Sequence, residues 1–225
     1  MKKKYYLFKM KTVSLTVIST IMLILLIIFV YLIGYAGTFM ELFDRYNPIV
    51  LLLLFFGYLF LHELLHSLAY VIYGGKYNKI TYGIALELGV LYCLCKQNIS
   101  KKNILHSLMY PLVIIGIVTF IIAIVFNLPL LLWLSVFNLS GCSGDIIMFI
   151  FISKIKNMEF SEMDDPISFA IYTNEDVSKI SHYGLEFIGT KEKLEREDLT
   201  KIKVSKPSYI IMIILFILMI LNTYL

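Results

Sequence analysis

At 225 residues the chain is long enough for one ordinary domain, yet 59% of its residues are hydrophobic and its mean hydropathy is +0.82. That apolar share lies well above the usual range for a soluble domain. A formal net charge of +4 is too small to call for nucleic acid, and three cysteines (Cys93, Cys95, Cys142) make no disulfide framework.

In chain order, five segments are apolar enough to span a bilayer, which takes roughly 17–25 helical residues. The first, 12–37, follows Lys2, Lys3, Lys4, Lys9 and Lys11. Its apolar run exceeds the 7–15 residues or so of a cleaved signal peptide and reads as an uncleaved anchor. The second is 48–74, and Gly74-Gly75 ends it. Residues 79–95 are rich in β-branched and aromatic side chains around a Glu87–Gly89 turn, and predict a short β-hairpin at one membrane face. The third span is 104–126, the fourth 129–153 and the fifth 209–225. Residues 154–207 between the last two carry mixed charges and predict a partly ordered polar segment. Lysines crowd the N-terminus, the 75–103 connection and the flanks of 154–207, whereas the connections 37–47 and 127–128 hold one basic residue, Arg45. The positive-inside rule then puts the N-terminus, the hairpin and the polar segment in the cytoplasm, and the C-terminus outside.

The second span contains His62-Glu63-Leu64-Leu65-His66. On a helix, residues i and i+4 lie one turn apart on one face, so His62 and His66 can each offer a ring nitrogen to one zinc ion. Glu63 then stands where it can take a proton from the attacking water and pass it to the leaving amine. The plainer alternative is two histidines and a glutamate packed for shape or hydrogen bonding. Against it stands the cost of an ionisable group in a membrane helix, which makes such groups functional candidates by default.

A hydrolytic zinc needs a third protein ligand, and Asp145 is the only other acidic residue inside an expected span. His66 stands eight residues before Gly74 and Asp145 nine before Lys154, which gives matching depths of about 12 and 13.5 Å at 1.5 Å per residue. Cys142, three residues away, competes for the role because thiolate is a strong zinc ligand. A histidine–carboxylate set suits hydrolysis better. Other candidates are weaker. Cys93 and Cys95 share a strand face and read as packing, His106 as an interfacial residue, and His182 as solvated surface. Asn174-Glu175-Asp176 would have to fold back into the membrane cavity to ligate.

These residues carry a resemblance. The chain resembles a family of small bacterial membrane proteins described as zincin peptidases, similar to the site-2 proteases that cleave within membranes. The likeness covers much of 58–152. It rests on the His62–His66 motif, the hairpin with Tyr92, Asn98-Ile99-Ser100-Lys101, Pro111 and the stretch Asn138 through Asp145. In site-2 proteases the third ligand is an aspartate followed by glycine, with an asparagine upstream. Here Ile146 follows Asp145, and Gly141-Cys142-Ser143-Gly144 replaces the proline-rich turn.

The reading is an all-α polytopic membrane protein of about five transmembrane helices with a short β-hairpin at the cytoplasmic face. Its parts are a membrane core over 1–153, a cytoplasmic segment over 154–207 and a final helix over 208–225. Function is expected to be zinc-dependent intramembrane proteolysis of a membrane protein or peptide. His62, His66 and Asp145 hold Zn2+, Glu63 is the base and then the acid, and Asn138 orients or stabilises the substrate carbonyl. The rivals are a non-catalytic scaffold or immunity-type protein with a vestigial zinc site, and an ion-relay transporter. No clear inverted repeat favours transport.

Overall fold

A computed structural model describes residues 3–85, 90–163, 165, 167–180, 184–194 and 203–204. A strand, β1 (Lys4–Met10), precedes α1 (Thr12–Leu32), α2 (Thr38–Arg45) and α3 (Pro48–Ile72). Strands β2 (Ile80–Ala85), β3 (Val90–Cys95) and β4 (Ile99–Ser100) follow. Next, α4 (Lys101–Pro111) runs through a π-helical stretch, Leu112–Val118, into α5 (Thr119–Val125). The rest comprises α6 (Pro129–Gly141), α7 (Ser143–Ser153), β5 (Glu159–Glu162), β6 (Ser168–Thr173), β7 (Leu185–Lys191) and β8 (Lys203–Val204).

The helices α1, α3 and the continuous Lys101–Val125 are long and apolar enough to cross a membrane. Their outward side chains, among them Ile21, Leu25, Leu32, Leu53, Phe60 and Ile121, are exposed. Such apolar surface is unfavourable in water and natural in lipid. The helix expected over 129–153 is a bent pair, α6 and α7, turned by 44° around Cys142. The expected span at 209–225 lies outside the described residues, and the connection 37–47 contains α2.

The all-α expectation is overturned by an antiparallel sheet of five strands in the order β4-β5-β6-β1-β7. Residues 4–10, which read as a basic flank, form β1, an inner strand of this sheet, with Tyr6, Phe8 and Met10 buried. Phe8 meets Phe151 of α7 edge-on at 4.8 Å between ring centroids and stacks on Phe169 of β6. Phe160 stacks on Phe169 in turn. This aromatic layer fastens the sheet to the end of α7. The sequence hid the sheet because its strands are short, carry lysine and glutamate, and pair across the whole chain.

The expected hairpin is present: β2 and β3 pair antiparallel with Gly83 opposite Tyr92, and β8 lies parallel to β2. Of the turn expected at Glu87–Gly89, nothing lies within the described residues. A Cβ at Gly83 would meet the Tyr92 ring at 1.9 Å, so glycine is needed for that ring to lie across the strand pair.

Candidate metal centre

Local sequence fixes both ends of the helix that carries the histidines. Asn47 caps α3 by accepting from the Ile49 amide at 2.8 Å, and Pro48 occupies its first turn. Gly74, at φ 95°, closes it, with the Gly75 amide donating to the Tyr70 carbonyl and the Gly74 amide to that of Val71. His62 and His66 sit in the second half of this helix, both buried.

The structure brings His62, His66 and Asp145 together, and they form the one group of potential metal ligands among the described residues. Nε2 of His62 and of His66 are 3.1 Å apart. Asp145, in the first turn of α7, places Oδ2 3.3 Å from His62 Nε2 and Oδ1 3.4 Å from His66 Nε2.

Each imidazole is turned by its other nitrogen. His66 Nδ1 lies 3.0 Å from the Ser107 carbonyl, which only accepts, so Nδ1 carries the hydrogen. His62 Nδ1 lies 2.8 Å from Asn138 Oδ1. The Asn138 amide nitrogen points to acceptors, the Pro111 carbonyl at 3.5 Å and Cys142 Sγ at 3.8 Å, which assigns Oδ1 to the histidine. Both Nδ1 atoms therefore donate, and two neutral rings would aim bare Nε2 lone pairs at each other and at a carboxylate. Such a convergence of acceptors is unfavourable without a cation among them. Zinc bonds of about 2.0–2.1 Å at tetrahedral angles separate neighbouring ligands by about 3.3–3.4 Å, close to the distances found. The donor set fits zinc.

A cavity of about 500 Å³ opens beside the three ligands and is lined also by Glu63, Tyr92 and the α1 hydroxyl residues Thr16 and Ser19. Glu63 accepts a hydrogen bond from the Cys93 backbone amide. The Lys96 amide pairs with Lys79, so along β3 the amides of Cys93 and Cys95 face the other way, toward the cavity.

Glu162 was not singled out by sequence reasoning, yet it lines the same cavity. It accepts from Tyr70 Oη at 2.8 Å and from the Cys95 amide. Burial pushes its carboxyl up to about 7 against the pull of those two hydrogen bonds. A signal was available. In Glu159-Phe160-Ser161-Glu162, strand alternation puts Glu162 on the same face as the fully buried Phe160.

The other expected candidates lie elsewhere. Cys142 is buried at the break between α6 and α7 with its thiol against Asn138 and His62, but its sulfur is not in the converging group. Cys93 and Cys95 are buried on β3. His106 is half-buried, bonded to the Lys102 carbonyl and stacked on Tyr73. Glu175 and Asp176 bond the amides of Asn157 and Ser178, within the polar segment. His182 lies outside the described residues.

Residues 55–159 match the model of a protein family described as "Putative zincin peptidase". The matched stretch holds the histidine pair, the hairpin, Pro111, Asn138 and Asp145, and leaves out β1, α1 and most of the five-stranded sheet. No curated protein and no solved structure matches the chain.

Proposed function

We propose, for a chain whose residues 55–159 match the model of a zincin peptidase family, that it is a zinc-dependent endopeptidase cutting within the membrane in the manner of site-2 proteases. The carrying observation is the convergence of His62 Nε2, His66 Nε2 and the Asp145 carboxylate beside Glu63, in a cavity walled by helices whose outer faces are apolar.

His62, His66 and Asp145 would hold a zinc ion, which would supply Lewis acidity toward the scissile carbonyl and the attacking water. Glu63 accepts the proton that water gives up and delivers it to the departing amine nitrogen. The Cys93 amide steadies the Glu63 carboxylate between these roles. Asn138 acts through His62, holding its ring so that Nε2 faces the ligand group. A peptide bond in lipid is sealed inside a helix, so the substrate must unwind locally, which backbone tolerates only against protein or water. With the Cys93 and Cys95 amides held by Glu63 and Glu162, the same edge of β3 keeps the Cys93 carbonyl, which faces the way its amide does, for the amides of an extended segment aligned by strand addition.

The same helices support a place in the bilayer. With α1, α3, Lys101–Val125 and the α6–α7 pair as four passes, the start of α1, the end of α3, the start of α4 and the end of α7 share one side. The lysines at 4, 9, 11, 76, 79, 96, 101, 102, 154 and 156 gather there too. The positive-inside rule makes that side cytoplasmic, and the catalytic group belongs to the cytoplasmic half.

The test compares membrane fractions of cells carrying the wild-type chain with those carrying Glu63→Gln, by mass spectrometry of new protein termini. The expected result is at least one cut inside a hydrophobic segment that disappears in the variant. Cuts confined to soluble regions, or an unchanged set of termini, would remove the intramembrane reading.

A further inference from the structure

The third span carries a proline inside α4 and, directly after it, a π-helical stretch. In an α-helix the amide of residue i donates to the carbonyl of residue i−4. Pro111 has no amide hydrogen, so the carbonyl four residues back loses its helical partner. That carbonyl belongs to Ser107, the acceptor that His66 Nδ1 reaches at 3.0 Å. The next amide, that of Leu112, donates instead to Met109. The carbonyl freed by the proline is therefore the one that orients a zinc-ligand histidine.

The same turn acts on the other histidine. The Pro111 carbonyl accepts from Asn138 Nδ2 at 3.5 Å, and Asn138 Oδ1 reaches His62 Nδ1. Beyond it, Gly116 admits α6 closely. A Cβ there would meet Leu139 Cδ2 at 2.6 Å and Asn138 Nδ2 at 3.3 Å. The interrupted helix thus presents one carbonyl to His66 and one to the residue that holds His62.

We infer that Pro111 is a positioning residue of the metal centre: by withholding an amide hydrogen it dedicates the Ser107 carbonyl to His66 Nδ1, which fixes the tautomer and the direction of Nε2. The inference rests on the zinc reading and adds a residue to it. Histidine ligands are oriented by the partner of the second ring nitrogen, and removing such partners costs about 10–100-fold in metal affinity. Pro111→Ala restores an amide that competes for the Ser107 carbonyl and draws it back toward the helix axis. A proline kept only for the shape of the helix would not change metal affinity when replaced by the better helix former.

The experiment uses full-length wild-type and Pro111→Ala proteins purified in detergent. It measures zinc affinity by chelator competition, the visible spectrum of the cobalt-loaded form and the melting temperature of the metal-free form. The expected result is zinc binding weakened about 10-fold or more, shifted cobalt bands, and a melting temperature unchanged or raised. Equal affinity and an unchanged cobalt spectrum, with zinc bound by the wild type, overturn the inference and leave the zinc reading standing. A wild type that binds no zinc overturns both. Weaker binding with a lowered melting temperature assigns the loss to the fold and likewise overturns the positioning role.

Discussion

Glu63→Gln is expected to slow cleavage by about 10²–10⁴-fold, the range contributed by a positioned general base, while zinc affinity and melting temperature stay those of the wild type. Glutamine keeps the size of the side chain and an oxygen to accept from the Cys93 amide, so the cavity wall survives the change. What it loses is the capacity to take a proton from water and to return it to the amine. Glu63 lines the cavity beside the ligands and is not itself one of the converging group. Purified variant assayed on the substrate found in membrane fractions, with its zinc content measured in parallel, checks both halves. Turnover equal to wild type would mean that another group handles the proton, and the first to examine is Glu162, which lines the same cavity.

The second large effect concerns the ligands. Structural zinc sites bind with about 10–16 kcal/mol, so each of four coordination positions accounts for roughly 3 kcal/mol, or about 10² in affinity. His62→Ala, His66→Ala and Asp145→Ala should each lose zinc to a chelator that the wild type resists. Asp145 decides most, because Cys142 is the rival on the same stretch. Cys142→Ser is expected to retain zinc, since the sulfur stands outside the group in which Nε2, Nε2 and the carboxylate meet. Asn138→Ala should fall between, weakening zinc by about 10–100-fold through loss of the His62 partner. Zinc retained by Asp145→Ala and lost by Cys142→Ser would exchange the assignments of the two residues.

Much of this centre was legible in the sequence because helices impose a rigid period. The i to i+4 spacing of His62 and His66 fixes them on one face whatever the rest of the fold does, and matching distances from helix ends bring Asp145 to the same depth. Residues joined through tertiary contact were harder to see. Asn138 could be read as a polar residue near substrate, but not as the partner of His62 Nδ1, because that contact depends on how α6 packs against α3. Pro111 could be read as a helix interruption, but not as the source of a histidine's acceptor. The five-stranded sheet was missed for a different reason. Lys4 and Lys9 carry a topology signal and also stand on a strand whose Tyr6, Phe8 and Met10 are buried, and the signal concealed the strand. Glu162 went unnoticed with that sheet, since a glutamate in a polar segment looks solvated until its strand is placed against the cavity.

The most direct test of the metal centre is X-ray absorption at the zinc edge on the purified wild-type chain after zinc loading. The expected result is about one zinc per chain with only nitrogen and oxygen neighbours at about 2.0–2.1 Å, two of them imidazoles. A chain that takes up no zinc, or a sulfur neighbour at about 2.3 Å, would contradict it.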